Sequence, residues 1–305
     1  MKSYDVIVVG GGPGGYTAAL YAARSGLSVA VLEKLSAGGQ MATTSTIENF
    51  PGFPDGVDGF ELGERMAEQA QKYGAETIYG EVTEVELAGT PKIIRSSEGE
   101  FAGRTVILAT GAYPRELGLP GEQELRGRGV AYCATCDGMM FRGKTVVVNG
   151  GGNTAVEDAL YLSRLCAKVY LVHRRDQLRA SPVYRKRLDE QGVEILWNSR
   201  VTALRKDTRL TGVELEDVQT GARRELACDG IFVAVGRVPD TGLFAGQVEL
   251  DSAGYLVADE SCRTSLPGVF AVGDVRTKAV RQVVTAAADG ANAAYFAEAY
   301  LLNKQ

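Results

Sequence analysis

Residues 4–33 read YDVIVVGGGPGGYTAALYAARSGLSVAVLE, and the order of features in this stretch decides the fold. Tyr4 to Val9 is a short apolar run rich in β-branched residues, the composition of a buried strand. Gly10, Gly11, Gly12, Pro13, Gly14 and Gly15 follow as a turn, and an Ala-rich helical segment runs from Tyr16 to Ser25 before Gly26 stops it. Leu27 to Leu32 resumes the apolar pattern and ends at Glu33. Strand, glycine turn, helix, strand and acid, in that order, make a dinucleotide-binding unit. The glycines let backbone approach a pyrophosphate, and the helix N-terminus offers free N–H groups and a favourable dipole. Glu33 falls where a carboxylate can bind both hydroxyls of a ribose. Taken alone the glycines also fit a structural turn; the flanking strand, helix and acid favour the nucleotide.

The unit recurs. Thr145 to Asn149 leads into Gly150, Gly151, Gly152, Asn153, Thr154 and Ala155, a helix is expected from Val156 to Cys166, and Lys168 to Val172 reads as the next strand. Glu33 stands 23 positions after Gly10, and His173 stands 23 positions after Gly150, so His173 occupies the place of the acid. There the repeat changes sign: His173 is followed by Arg174, Arg175 and, four residues on, Arg179. A carboxylate would repel a 2′-phosphate where guanidinium groups bind it. The first site therefore suits a ribose diol and the second suits NADPH. An Arg pair after a strand is otherwise a solvated end, and the shared register argues against that.

Two further strands close the units, Thr105 to Gly111 with Pro114 and Gly230 to Gly236 with Pro239, and a third, Gly268 to Val272, runs into Gly273-Asp274. Because the third follows completion of the second unit, it is assigned back to the first. The expected fold is α/β, two nested Rossmann-like dinucleotide-binding domains in three layers: residues 1–115 with 245–305, and an inserted domain of 116–244. Glycine and proline cluster at both crossings, which reads as a hinge.

Composition narrows the functions. The 305 residues carry 33 Lys+Arg against 38 Asp+Glu, a net charge of -5 that gives no reason to expect nucleic acid. No apolar run approaches the roughly 18 residues of a membrane helix, and a strand beginning at Tyr4 leaves no room for a signal peptide, so no membrane partner and a cytoplasmic location are expected. The single histidine excludes most chemistry built on a His base. Five cysteines, an odd number without export features, point to a redox or metal pair rather than a disulfide framework.

That pair is Cys133 and Cys136, in Cys133-Ala134-Thr135-Cys136-Asp137-Gly138. Two-residue spacing at a helix start brings two sulfurs within disulfide reach and lowers the pKa of one thiol. Structural zinc would need a second pair, and Cys166, Cys228 and Cys262 are scattered singly, each a small packed residue. No metal is expected. Proton transfer at a dithiol needs a general acid, and Asp137 is the nearest candidate; capping the following helix is its bland alternative.

The order of Gly10–Gly15, Cys133–Asp137, Gly150–Ala155, His173–Arg179 and Gly273–Asp274 with Arg281-Gln282 resembles the low-molecular-weight, bacterial-type thioredoxin reductases over essentially the whole chain. The resemblance implies FAD in the first domain, NADPH in the inserted one, a homodimer, and thioredoxin as the protein substrate. It implies that Gly12 to Gly15 and Glu33 contact the ADP half of FAD, that Gly39, Gln40 and Asn49 form a loop near the flavin, and that Asp274 with Arg281, Gln282 and Val283 meets its ribityl and isoalloxazine parts. Lys34, Val82, Thr110, Gly111 and Gly236 complete the expected cofactor contacts. Cys136 is similar to the sulfur next to the flavin, Cys133 to the one that attacks thioredoxin, and Asp137 to the family acid. Met139-Met140 stand where members often carry aromatic residues, and Asn149 where an aliphatic one is usual. The larger disulfide reductases do not match, since they place the pair in the first domain and use a C-terminal His.

The reaction so implied passes a hydride from NADPH to FAD, opens the Cys133–Cys136 disulfide, and exchanges the dithiol with a partner disulfide. A pair that must touch the flavin cannot at once present Cys133 to a protein, so rotation of the inserted domain between half-reactions is expected. A ferredoxin–NADP reductase-like enzyme would lack the cysteine pair and a ferredoxin-driven relative would lack Arg174, Arg175 and Arg179; a dithiol sensor remains as a third reading.

Overall fold

The computed structural model describes residues 1–44, 46–180 and 182–303. In chain order its elements begin with β1 (Lys2–Val9), α1 (Pro13–Arg24), β2 (Val29–Glu33), α2 (Gly59–Lys72), β3 (Glu76–Tyr79), β4 (Val82–Glu86), β5 (Lys92–Ser96), β6 (Gly99–Leu108) and β7 (Ala112–Pro114). They continue with β8 (Val130–Ala131), α3 (Ala134–Asp137), β9 (Thr145–Gly150), α4 (Asn153–Leu162), β10 (Lys168–Val172), α5 (Pro182–Glu190) and β11 (Glu194–Leu196). The last are β12 (Ser199–Lys206), β13 (Leu210–Asp217), β14 (Arg223–Ala227), β15 (Gly230–Ala234), β16 (Arg237–Pro239), β17 (Val269–Ala271) and α6 (Val283–Leu302). The chain forms two compact units, Met1–Tyr113 with Val238–Gln305, and Pro114–Arg237.

In the first unit β1 pairs in parallel with β2 on one side and β6 on the other, and β3 extends the sheet beyond β2. β6 changes partners along its length. Its Gly99–Gly103 half pairs antiparallel with β5 and thence β4, while Val106 to Leu108 pairs in parallel with β17, which brings the late segment 268–272 into the first sheet. A parallel strand covered on both faces reads as a continuous apolar run, and β1 shows why. Val6 and Val8 enter a cluster with Ala18, Ala19 and Ala22 of α1 and Ala293, Ala294 and Ala297 of α6. Ile7 and Val9 enter the opposite cluster with Leu32, Leu108, Phe244 and Leu256. Each such fully buried side chain contributes about 1.5–3 kcal/mol.

Small residues on α1 and α6 permit close helix packing. A Cβ on Gly290 would collide with the Gly14 carbonyl and lie 2.8 Å from the Ala18 nitrogen. The second unit repeats the plan with a parallel sheet in the order β11-β10-β9-β15-β8, and adds the antiparallel sheet β12-β13-β14. Val146 and Val148 pack on α4, while Val147 packs on Leu210, Val213 and Leu215 of β13.

Helix limits differ from the sequence expectation. Both helices begin three residues earlier, at Pro13 and Asn153, because Gly12 and Gly152 are the N-cap residues with extended backbone and the helical turn starts immediately after the glycines. α4 also stops at Leu162, so Cys166 lies past its end, its N–H donating to the Leu162 carbonyl.

Candidate active site

The first glycine turn is held open by two close approaches. Gly10 has φ +105 and its Cβ would lie 2.6 Å from the Ala109 carbonyl oxygen; Gly15 leaves no room for a Cβ against the Gly10 carbonyl. Gly12, by contrast, has nothing within 4 Å of where its Cβ would be. A bare backbone corner facing open space, with the unpartnered N–H groups of the first turn of α1 behind it, fits a diphosphate. Glu33 closes one side: its Oε2 accepts the Gly11 N–H at 2.6 Å and its Oε1 accepts the Leu35 N–H at 3.1 Å, which fixes the carboxylate beside the turn, as a ribose diol requires. Gly39 reaches the other side, where a Cβ would lie 3.4 Å from the Gly12 Cα, and the Gly38 N–H donates to the Gly11 carbonyl at 2.8 Å. Gly38 and Gly39 therefore abut the turn although they are far from it in sequence, and Gln40 follows in the same 3₁₀ turn (Gly39–Thr43).

The second turn repeats the strand, glycine and helix order without the left-handed φ at its first glycine, and its chemistry differs. Gly152 again faces open space, and Asn153 and Thr154 are exposed in the first turn of α4, with Ala155 buried in the place of Gly15. A Cβ on Gly151 would strike the His173 ring, whose Nε2 lies 3.0 Å from the Gln177 carbonyl oxygen. His173 is 6% exposed, so it braces the turn from behind rather than facing the solvent with its neighbours. Burial first, and then the charges of Arg179 and Arg175, lower its pKa against backbone contacts to Gln177 and Gly150 that raise it. The positive charge comes from Arg174, Arg175 and Arg179, all exposed and none in an ion pair among the described residues. The Arg179 N–H donates to the Gly151 carbonyl at 2.8 Å, which ties that arginine to the glycine turn. Three unpaired guanidiniums beside an open diphosphate corner fit a 2′-phosphorylated nucleotide.

Cys133 and Cys136 form a disulfide with Cα atoms 5.3 Å apart, Cys133 as the N-cap residue of the single-turn helix α3. Asp137 stands at the N-cap of the following 3₁₀ turn (Gly138–Phe141), but its side chain makes no capping bond, so capping does not account for it. Burial raises its pKa to about 6, with the Arg126 charge acting the other way. About a tenth of such a carboxyl is protonated at pH 7, against roughly a thousandth for an ordinary aspartate. Met139 and Met140 are exposed just beyond, and Tyr132, which precedes the pair, donates to Glu122 at 2.8 Å.

The third part of the first unit's site is the segment after β17. Gly273 adopts φ +73 and opens a 3₁₀ turn containing Asp274. Arg281 packs 4.0 Å over the Tyr255 ring, and its Nε donates to the Asp274 carbonyl at 3.4 Å. Gln282 caps α6 with Thr285 in a capping box, just before Val283, and accepts from Asn49 Nδ2 at 3.0 Å. Sequence reasoning missed what lies beneath: Asp289, Arg276 and Lys278, a buried ion cluster at the base of the Gly273 turn. The available signal was a lone acid in the first three turns of an Ala-rich helix.

Other expected contacts are placed as follows. Lys34 pairs with Glu81 at 2.6 Å, Val82 is half-buried in β4, and the Thr110 hydroxyl donates to the Asp240 carbonyl at 2.6 Å. Gly111 (φ +78) and Gly236 (φ +118) follow the closing strands of their respective units. Of the expected packed cysteines, Cys228 and Cys262 are buried and Cys166 is half-buried. Among the described residues no group of three or more His, Cys, Asp or Glu could hold a metal, and no helix is long and apolar enough to cross a membrane.

Comparison with known proteins finds similar proteins over nearly the whole chain. The sequence model of the family described as pyridine nucleotide-disulphide oxidoreductase covers residues 4–290. A thioredoxin reductase of Treponema pallidum is 47% identical over 299 residues, spanning 98% of this chain and 97% of the relative. One from Bacillus subtilis is 43% identical over 302 residues, spanning 98% and 95%. Among solved structures, the thioredoxin reductase from Streptococcus pyogenes aligns with a TM-score of 0.91 at 44% identity, over 99% of each chain.

Opening the Cys133–Cys136 bond requires a proton for a departing sulfur. If Asp137 supplies it, the rate of that step falls as pH rises through about 6, where the carboxyl ionises. Asp137→Asn is expected to remove that inflection and slow the step by roughly 100-fold or more, measured by stopped-flow across pH 5–8. An inflection unchanged in the variant assigns the proton to another group.

Proposed function

Because the chain belongs to the pyridine nucleotide-disulphide oxidoreductase family and, within it, to the low-molecular-weight thioredoxin reductases, we propose that its two glycine turns and its cysteine pair divide one reaction among them. The activity is NADPH-dependent reduction of a thioredoxin disulfide by a flavoprotein. FAD, when bound, supplies two-electron chemistry between a nicotinamide and a disulfide. In the first unit the N–H groups of Gly12, Gly14 and Gly15 hold its diphosphate, Glu33 its ribose diol, and Asp274, Arg281, Gln282 and Asn49 the flavin half. In the inserted unit Gly152, Asn153 and Thr154 hold the diphosphate of NADPH, and Arg174, Arg175 and Arg179 bind its 2′-phosphate. Cys136 takes the electron pair, Asp137 protonates the departing sulfur, and Cys133 attacks the thioredoxin disulfide.

One observation carries this assignment: at the same register in two copies of one backbone motif, a carboxylate on the turn is exchanged for a buried imidazole with three unpaired arginines. The arginines also speak against a ferredoxin-fed enzyme, and the reducible pair against a ferredoxin–NADP reductase-like one. A homodimer through α6 is supported by an exposed apolar stripe, with Val284 42%, Tyr295 67% and Leu302 63% exposed on a helix whose other side is buried. Three unpaired cysteines beside a single redox pair suit a reducing cytoplasm.

Anaerobic titration of the flavin-loaded protein distinguishes these readings. NADPH is expected to bleach the flavin with a much lower half-saturation than NADH, and added thioredoxin to restore its colour catalytically. Cys133→Ser or Cys136→Ser is expected to abolish disulfide reduction and leave bleaching intact. Bleaching without any thioredoxin-dependent turnover would identify a sensor instead.

A further inference from the structure

The mechanism above leaves a buried group unused. Asp289, about one-third of the way along α6, is 5% exposed, and its carboxylate accepts four hydrogen bonds. Oδ2 takes the Gly273 N–H at 2.9 Å, Arg276 Nε at 3.0 Å and Lys278 Nζ at 2.7 Å; Oδ1 takes Arg276 Nη2 at 2.9 Å. Arg276 Nη1 also reaches the carbonyls of Ala258, Asp259 and Thr277, and Lys278 that of Thr285 at 3.2 Å. Two cations and one carboxylate are thus enclosed together, leaving one positive charge over. Burial alone would raise the Asp289 pKa; its bonds to Arg276 and Lys278 outweigh that and hold it below the ordinary value.

The position of the cluster gives it a role. The next residue, Gly290, packs on the Gly14 carbonyl, and a Cβ on Gly14 would lie 3.2 Å from Val272 Cγ2 and 3.6 Å from the Gly273 nitrogen. The glycine turn of α1 and the Gly273–Asp274 turn therefore meet directly above Asp289. We infer that Asp289, with Arg276 and Lys278, is the positioning cluster that clamps the Gly273–Asp274 turn onto the first glycine turn, so that one carboxylate sets the spacing between the backbone gripping the diphosphate and the backbone gripping the rest of the flavin. This rests on the reading of the first unit as the FAD unit. An unpaired carboxylate could not do this, since burial would protonate it; the cations keep it an acceptor of three donors at a single oxygen.

The test uses the full chain stripped of flavin, with two probes: FAD, which spans both turns, and ADP, which reaches only the glycine turn. Asp289→Asn is expected to weaken FAD by roughly 10–100-fold and to leave ADP affinity within about twofold. Should that variant fail to fold, Lys278→Met, which leaves a neutral Arg276–Asp289 pair, is expected to give the same selective loss at roughly three- to tenfold. FAD and ADP weakening together would show a general loss of the unit's structure and overturn the clamp, as would FAD affinity unchanged in both variants. Wild-type chain that binds ADP but no FAD overturns the underlying FAD reading, and the clamp with it.

Discussion

A helix that starts within four residues of a strand's end needs glycine where the two press together, and the rest of this molecule depends on that constraint. Gly10 must take a left-handed φ to turn the chain against Ala109, and Gly15 must present no side chain to the Gly10 carbonyl. Met together, these conditions aim the free N–H groups of α1 across the bare corner at Gly12 toward whatever lies beyond the carboxyl end of the sheet. A related turn appears at Gly150 to Ala155, where a Cβ on Gly150 would strike the Ala234 carbonyl as one on Gly10 would strike Ala109, although Gly150 has no left-handed φ and Ala155 carries a methyl in the place of Gly15. Both copies place an open glycine N-cap, Gly12 or Gly152, at the start of a helix, and the side chains around the two turns differ.

Those side chains act through charge. Glu33 is fixed by two backbone N–H donors beside one turn, whereas the equivalent position of the other is filled by a histidine that braces the glycine from behind and leaves the adjoining arginines free. Beneath the first site, the enclosed Arg276–Lys278–Asp289 cluster joins the two backbone segments that a flavin would span. The Cys133–Cys136 pair lies beside a carboxyl whose burial moves its titration toward neutrality. Two glycine turns, three exposed arginines and a buried carboxyl of raised pKa are thus assembled in a chain containing one histidine.

Local features of this arrangement are legible in sequence, because they are written in contiguous residues. The strand–turn–helix units, the change from Glu33 to His173 at equal register, and the cysteine spacing all fall within short windows. Features that depend on distant segments are not. Asn49 meets Gln282 across 233 positions, and Asp289 finds Gly273, Arg276 and Lys278 only because α6 folds back beneath the turn after β17. His173 reads as a ligand contact by register, and that its ring packs buried against Gly151 is visible only in the fold. α4 ends at Leu162, short of the expected Cys166, and the Ser163 hydroxyl donates to the Leu160 carbonyl at that end.

Opposite electrostatics around two related glycine turns are what we propose distinguishes the two nucleotide pockets, and replacing Arg174 and Arg175 together by glutamate probes this most directly. Steady-state kinetics with NADPH and NADH should show the KM for NADPH rising by roughly 100-fold while that for NADH stays nearly constant, since only the 2′-phosphate meets the reversed charge. Equal changes for both nucleotides, or none for either, would contradict the account.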